Sequence, residues 1–121
     1  CVYGDGNVRR DIVYVKDVAQ AFVDAMESPN AKGLYNIGSG VASSLSEQVE
    51  VIAQVFAPSN GVSTITNDRT RKNGLTAYSF DIAKAQNDFG YTPRYSEFEA
   101  LMSDWKKEEE RGVYSALFGV E

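Results

Sequence analysis

The sequence predicts an α/β or α+β domain with part of its sheet parallel, and three observations carry that expectation. The β-branched and aromatic run Asp11-Ile12-Val13-Tyr14-Val15 leads directly into an amphipathic stretch of helical period. Beyond it the order continues as strand, helix, strand, extended piece, helix, helix. No repeat, low-complexity segment or linker interrupts the 121 residues, which are 43% hydrophobic, so residues 1–121 read as a single domain able to bury a core.

The elements follow in chain order. Asp11 to Val15 has the composition of a strand covered on both faces. Asp17 is placed to cap a helix whose Val18, Ala21, Phe22, Ala25 and Met26 share one face, with Pro29 just past its end. Leu34 to Ile37 is a second short strand, punctuated by Gly38-Ser39-Gly40. Ser44 and Glu47 have the spacing of a capping box for the next helix, where Leu45, Val49, Ile52, Ala53 and Phe56 recur at helical intervals before Pro58 and Asn60-Gly61. Val62 to Thr66 is a third strand candidate. A polar loop from Asn67 to Leu75 carries Arg69, Arg71 and Lys72 and leads to the extended stretch Thr76 to Phe80. Asp81 caps a short helix that Gly90 and Pro93 end, and Ser96 with Glu99 suggests a second capping box before Phe98, Leu101, Met102 and Trp105. The charged run Lys106 to Arg111 reads as a solvated helix face.

Composition narrows the chemistry. Twelve Lys and Arg against seventeen Asp and Glu give a net charge of −5, which disfavours nucleic acid and anionic membrane as partners through the overall field. An anion site must therefore be local. The absence of His removes a Ser-His triad, a His metal site and an imidazole proton shuttle. No apolar run approaches the roughly eighteen residues that span a bilayer, and no signal-like segment opens the chain. The single Cys1 has no internal disulfide partner, so a soluble protein of a reducing compartment, the cytoplasm, is expected. A start at Cys1, already close to a strand, suggests a piece of something longer.

Candidate sites compete with plainer readings. Gly38-Ser39-Gly40 lies between a strand and a helix, where a dinucleotide fingerprint would sit, but the third glycine is replaced by Ser43 and no acidic residue follows at the right place. A plain turn is the stronger reading. Arg9 and Arg10 alternate along an extended segment and should point to opposite faces, so only one enters any given pocket. Either could serve a structural salt bridge with Asp11 or Asp17. Guanidinium is also the side chain best matched to phosphate, and Arg69, Arg71 and Lys72 offer a second cationic group for a diphosphate clamp. A catalytic Tyr-x-x-x-Lys is absent: no tyrosine has Lys four places on. Cys1 and Ser39 lack an evident base.

Four motifs in order resemble a known family. They are Gly4-Asp5-Gly6; Arg10-Asp11-Ile12-Val13-Tyr14-Val15-Lys16-Asp17-Val18-Ala19; Gly33 through Gly40; and Asp81-Ile82-Ala83-Lys84-Ala85 with Phe89-Gly90-Tyr91-Thr92-Pro93. Together, from Tyr3 to about Trp105, the chain resembles the C-terminal, substrate-binding part of NAD-dependent epimerase/dehydratases, extended short-chain dehydrogenases that act on nucleotide sugars. The resemblance implies the C-terminal portion of a Rossmann-type fold, with few short strands and about four helices. It implies that Arg10 contacts a substrate diphosphate, that Arg71 is the later phosphate-binding arginine, and that Tyr78 lines the nucleotide pocket. The family's Gly-Asp pair after that arginine is not matched, since Arg71 is followed by Lys72-Asn73-Gly74, and Ile12 replaces the aromatic of the Arg-Asp motif.

By the same resemblance, the glycine-rich NAD or NADP loop and the Tyr-x-x-x-Lys pair belong to an N-terminal Rossmann half that these residues do not contain. This chain is then inactive alone, binds no cofactor itself, and takes a nucleotide-diphosphate sugar as ligand. A homo-oligomer is expected, and epimerase is the broader expectation beside dehydratase. The Leu34 to Ile37 strand would join the Rossmann sheet, so the isolated chain would expose an apolar face and self-associate. A different class of reading is a non-catalytic binding or assembly module that uses the arginine loop for a protein partner.

Overall fold

The computed structural model describes residues 1–58, 61, 63–72 and 74–113. Its elements are β1 (Val2–Tyr3), β2 (Arg9–Asp11), α1 (Val15–Glu27), β3 (Ala42–Ser44), α2 (Leu45–Val55), β4 (Asn67–Asp68), α3 (Ala83–Phe89) and α4 (Phe98–Glu110). The strands form two small sheets, β1 with β4 in parallel and β2 with β3 antiparallel, Arg10 facing Ser43. The expected mixture of helix and partly parallel sheet is present, but the strands are shorter and partly elsewhere.

The run Asp11 to Val15 is only a strand at its first residue. Its partner β3 is three residues long, so the ladder ends at Asp11, and α1 begins at Val15 with Tyr14 as an extended N-cap. Val15 is 64% exposed. Asp17 is consequently inside the first turn and is not the cap. It is buried, and its carboxylate accepts the N–H groups of Arg94 at 2.9 Å and Tyr95 at 3.0 Å, which fastens the segment before α4 onto α1.

Leu34 to Ile37 joins no sheet: among the described residues it makes no backbone-to-backbone hydrogen bond. It is held by side chains instead. Lys84 Nζ donates to the carbonyls of Lys32 and Leu34 and stands 3.6 Å over the Tyr35 ring, while Tyr35 donates to Asp88 at 2.7 Å. The third strand candidate begins at Val62, outside the described residues, and the paired residues lie beyond its end, at Asn67 and Asp68. From Thr76 to Phe80 the pairing is a single parallel bridge between Arg10 and Tyr78.

The Ser44–Glu47 capping box is formed, with Glu47 N–H donating to Ser44 Oγ at 3.2 Å and Ser44 N–H to Glu47 Oε2 at 2.6 Å. These bonds, led by that to the Ser44 backbone, hold the Glu47 carboxyl below its ordinary value. The second box is not formed. Helix α4 takes Glu97 as its N-cap, without a side-chain bond, so Ser96 and Glu99 are out of register by one residue. Asp81 accepts from Ala83 N–H at 2.9 Å, one residue ahead of the Ile82 N-cap. Gly90 ends α3 at φ 72°, a left-handed conformation that Gly adopts without a Cβ penalty.

Two apolar clusters result. Ala21, Ile82, Ala85 and Tyr91 form one, with Tyr35, Ile37 and Phe89 packed against it. Tyr14, Leu101 and Met102 form the other, between α2 and α4. The second is closed by a polar network: Lys16 Nζ donates to Asp104 at 2.6 Å and Glu108 at 2.7 Å, and the Tyr14 and Tyr95 hydroxyls also donate to Asp104. The charged run of α4 is thus not wholly solvated. Lys106 donates to the Val55 carbonyl at 2.8 Å.

The Lys16 bond, ahead of those from the tyrosines, holds Asp104 below its ordinary 3.8, and the two acids hold Lys16 above its ordinary 10.5. A depressed carboxyl contributes stability that is complete above its ordinary value and lost as pH falls through the lower folded value. A raised amine contributes below its ordinary value and loses that as pH climbs through the folded one. Asp104→Asn is therefore expected to lower the melting temperature at neutral pH and to flatten the acid limb below about pH 4. A variant acid limb parallel to the wild type would show that Asp104 does not carry it.

The remaining face is uncovered. Phe22, Met26 and Leu34 are 68%, 84% and 88% exposed, and a groove of about 270 Å³ runs between α1 and Tyr35, Ile37 and Phe89. Contiguous apolar surface of this kind drives association. These 121 residues alone are expected to self-associate in light scattering, and Phe22→Glu with Met26→Glu to shift them toward monomer. A wild-type monomer at high concentration refutes this.

Candidate functional site

Asp11 organises the region. Its carboxylate is buried, with Oδ1 accepting the N–H of Ser39 at 2.8 Å and its hydroxyl at 2.6 Å, and Oδ2 accepting the N–H groups of Gly40 at 3.0 Å and Phe80 at 3.3 Å. Gly38 is required by closeness: a Cβ there would lie 2.9 Å from both Asp11 Oδ2 and Phe80 Cβ. The Gly-Ser-Gly turn is thus a cradle for a protein carboxylate. Behind it, Tyr91 donates to the Gly38 carbonyl at 2.8 Å, and burial, then Asp17 and Asp11, push its phenol up to about 12.

With Asp11 facing inward, the arginines beside it diverge. Arg9 pairs with Glu47 at 3.3 Å and donates to the Ala42 carbonyl, so neither Asp11 nor Asp17 is its partner. Arg10 goes to the other side. Its guanidinium carbon lies 4.8 Å from the centre of the Tyr78 ring, and its Nε is buried without a hydrogen-bond partner. Among the described residues no carboxylate pairs with it.

A second cationic group lines a groove against the segment that leads into β2. Val8, just before β2, forms with Gly4 and Asp5 one wall of an open groove of about 490 Å³ whose other wall holds Arg69, Arg71 and Lys72. Parallel pairing of β1 with β4 brings these distant segments together. Gly6, at φ +73°, lets the preceding turn pack: a Cβ there would meet Ser46 Oγ at 2.0 Å. Asp68 opens the cationic loop by accepting the Thr70 hydroxyl at 2.6 Å and N–H at 3.0 Å, which hold its carboxyl below the ordinary value. Arg71 Nη1 donates to the Tyr3 hydroxyl at 3.2 Å, its Nε is 3.6 Å from Asp68, and its guanidinium carbon is 5.1 Å over the Tyr3 ring.

Of the residues singled out from sequence, Arg10 and Tyr78 are in direct contact, while Arg71 stands on the groove with Tyr3. Among the described residues no hydrogen bond or ring contact joins Arg10 to Arg71. Asp11 and Tyr3 were missed as site residues. The cue for Asp11 was the Gly-Ser-Gly turn, whose Ser39 lies 28 residues on and whose small residues have to surround something; Tyr3 lies in a two-residue strand that leaves no periodic signal. Among the described residues no group of three His, Cys, Asp or Glu side chains could hold a metal ion, and no helix is long and apolar enough to cross a membrane.

Comparison with known proteins places this geometry. The sequence profile of the NAD dependent epimerase/dehydratase family matches residues 1–38. The dTDP-L-rhamnose 4-epimerase of Burkholderia thailandensis is 34% identical over 97 residues, covering 78% of this chain and 26% of that protein. The solved ADP-L-glycero-D-manno-heptose-6-epimerase of Helicobacter pylori superposes with a TM-score of 0.70 at 28% identity, over 90% of this chain and 32% of that one. The chain belongs to the NAD-dependent epimerase/dehydratase family. A UDP-glucose 4-epimerase from Thermotoga maritima, solved with UDP-glucose, is a further family match at TM-score 0.66 and 26% identity, covering 91% of this chain and 35% of that one. The chain thus spans about a quarter to a third of the length of these family members.

The family implies NAD, and the turn before β3 is the place in this chain to test for it. The N–H groups of Ser39 and Gly40 donate to Asp11, so this turn does not fit a dinucleotide pyrophosphate. Asp11→Asn would set an amide against converging N–H donors, and urea unfolding is expected to show a loss of about 2 kcal/mol or more. An unchanged midpoint would remove Asp11 from its organising place.

Proposed function

We propose that this chain is the nucleotide-sugar-binding portion of an NAD(P)-dependent epimerase or dehydratase, in which Arg10 and Arg71 hold the substrate diphosphate. The observation that carries the reading is the Arg10 guanidinium, charged, free of any described carboxylate and with an orphaned buried Nε; Arg69, Arg71 and Lys72 line an open groove with Val8, two residues earlier in the chain. A chain of net charge −5 that gathers cations there has a local preference for an anion. The names of the family members support the chemical class: dTDP, UDP and ADP differ in base but share a diphosphate. Arginines contributed by segments distant in sequence suit that shared element, because a guanidinium fork matches phosphate oxygens in bidentate, charge-assisted bonds.

In this proposal Tyr78 forms the wall behind Arg10, and Asp11 fixes the backbone on which both stand. Binding the diphosphate would use remote binding energy to orient the sugar. The nicotinamide cofactor and the acid-base residues would come from an N-terminal Rossmann half. That half would cover the Phe22, Met26 and Leu34 face and pair with the open Leu34–Ile37 edge. Calorimetric titration of the full-length protein with UDP-, GDP-, CDP- and dTDP-sugars tests the reading. Arg10→Ala and Arg71→Ala are each expected to weaken the preferred ligand by about tenfold or more, the effect of removing a charge-assisted bond. Affinity unchanged by Arg10→Ala would show the diphosphate assignment to be wrong.

A further inference from the structure

We propose that Tyr78 is a positioning residue: the face of its ring holds the Arg10 guanidinium in place without occupying the in-plane N–H donors that an oxyanion needs. The inference rests on the reading above and assigns Tyr78 a role within that site.

The two side chains meet because the backbone puts them there. Asp11 N–H donates to the Tyr78 carbonyl and Tyr78 N–H to the Arg9 carbonyl, both at 3.1 Å, so Tyr78 is fastened on either side of Arg10. The platform is fixed in turn. The Phe80 ring packs on that of Tyr78 at 5.5 Å between centres, and Phe80 N–H is bound to the buried Asp11 carboxylate. With the guanidinium carbon 4.8 Å from the ring centre, the contact lies inside the roughly 6 Å range over which a ring quadrupole attracts a cation.

This chain also shows the other way to hold an arginine. Arg9 is paired with Glu47 and Arg111 with Glu108, and a carboxylate partner both neutralises the charge and takes up N–H donors. A ring face does neither. It contacts the flat side of the guanidinium and leaves the donors, which lie in its plane, unoccupied. At Arg10 the Nε has no partner and no described carboxylate pairs with the guanidinium, so the side chain stacks on the ring with its charge intact.

The test is a mutant cycle on the full-length protein, titrated calorimetrically with UDP and dTDP. Tyr78→Phe is expected to bind within about twofold of wild type, and Tyr78→Leu to lose about as much as Arg10→Ala, roughly tenfold. The double variant Arg10→Ala/Tyr78→Leu is expected to be no weaker than Arg10→Ala alone. Loss on Tyr78→Phe, or additive losses in the double variant, would show that Tyr78 touches the ligand directly and overturn the inference. Phe, 4-fluoro-Phe and 3,4,5-trifluoro-Phe at position 78 keep the packing while draining the ring of its negative face. Affinity should fall stepwise along that series, and a flat series overturns the proposal even if Tyr78→Leu does not fold. If Arg10→Ala leaves affinity intact, the diphosphate reading fails. If Arg10→Ala weakens binding while Tyr78→Leu and the fluorinated series do not, only the positioning role fails.

Discussion

The Asp11 carboxylate is the interaction on which this structure depends most. Strand β2 is three residues long, too short for its ladder alone to fix where neighbouring segments lie. The buried acid does so by taking hydrogen bonds from Ser39, Gly40 and Phe80, segments 28 to 69 residues away in sequence. A carboxylate at such a depth is tolerable only when its lone pairs are satisfied. That requirement explains the glycines around it and the proximity of Tyr78 to Arg10.

Asp11 also separates the fates of the two arginines before it. Side chains alternate along a strand, so burying residue 11 inward commits residues 9 and 10 to different surroundings. Arg9 is neutralised by Glu47 and bound to a carbonyl on β3, and it stitches the small sheet to α2. Arg10 instead rests over the ring of Tyr78, while Arg71 lies over the ring of Tyr3 and also pairs with Asp68. A cation held by a ring remains a cation. Two adjacent arginines in one sequence thus stand in opposite surroundings, one paired with a carboxylate and the other stacked on a ring.

Much of this was legible before the structure, and the rest was hidden for identifiable reasons. The α1 and α2 helices, the Ser44–Glu47 box and the Gly90 stop rest on local periodicity and capping chemistry, which sequence carries directly. The divergence of Arg9 from Arg10 followed from strand alternation. The strands were harder, because Val13, Tyr14 and Val15 have β-like side chains yet leave the ladder once the three-residue partner ends. Ser96 and Glu99 had the right spacing for a box, but Ser96 falls one residue before the Glu97 N-cap. Asp17 resembled a cap because a first-turn acid and an N-cap acid differ by a few residues; only the fold reveals that its partners are Arg94 and Tyr95. The groove was invisible as a place, since nothing local tells that Gly4 to Val8 and Arg69 to Lys72 face each other.

Three acids, Asp11, Asp17 and Asp104, together do what a larger sheet does in other α/β domains. Asp11 ties β2 to residues 39, 40 and 80, Asp17 ties α1 to residues 94 and 95, and Asp104 ties α4 to Tyr14, Lys16 and Tyr95. Each joins elements distant in sequence, and each lies beside one of the two apolar clusters. Such bonds are directional where apolar packing is not, so they set registry while burial supplies most of the driving force. Among the described residues the outer face of α1 has no such tie: Phe22 and Met26 stand exposed there, and the extended Leu34–Ile37 segment joins no ladder. There the Leu34–Ile37 backbone is held by side chains, Lys84 on the Leu34 carbonyl and Tyr35 on Asp88, rather than by a sheet partner.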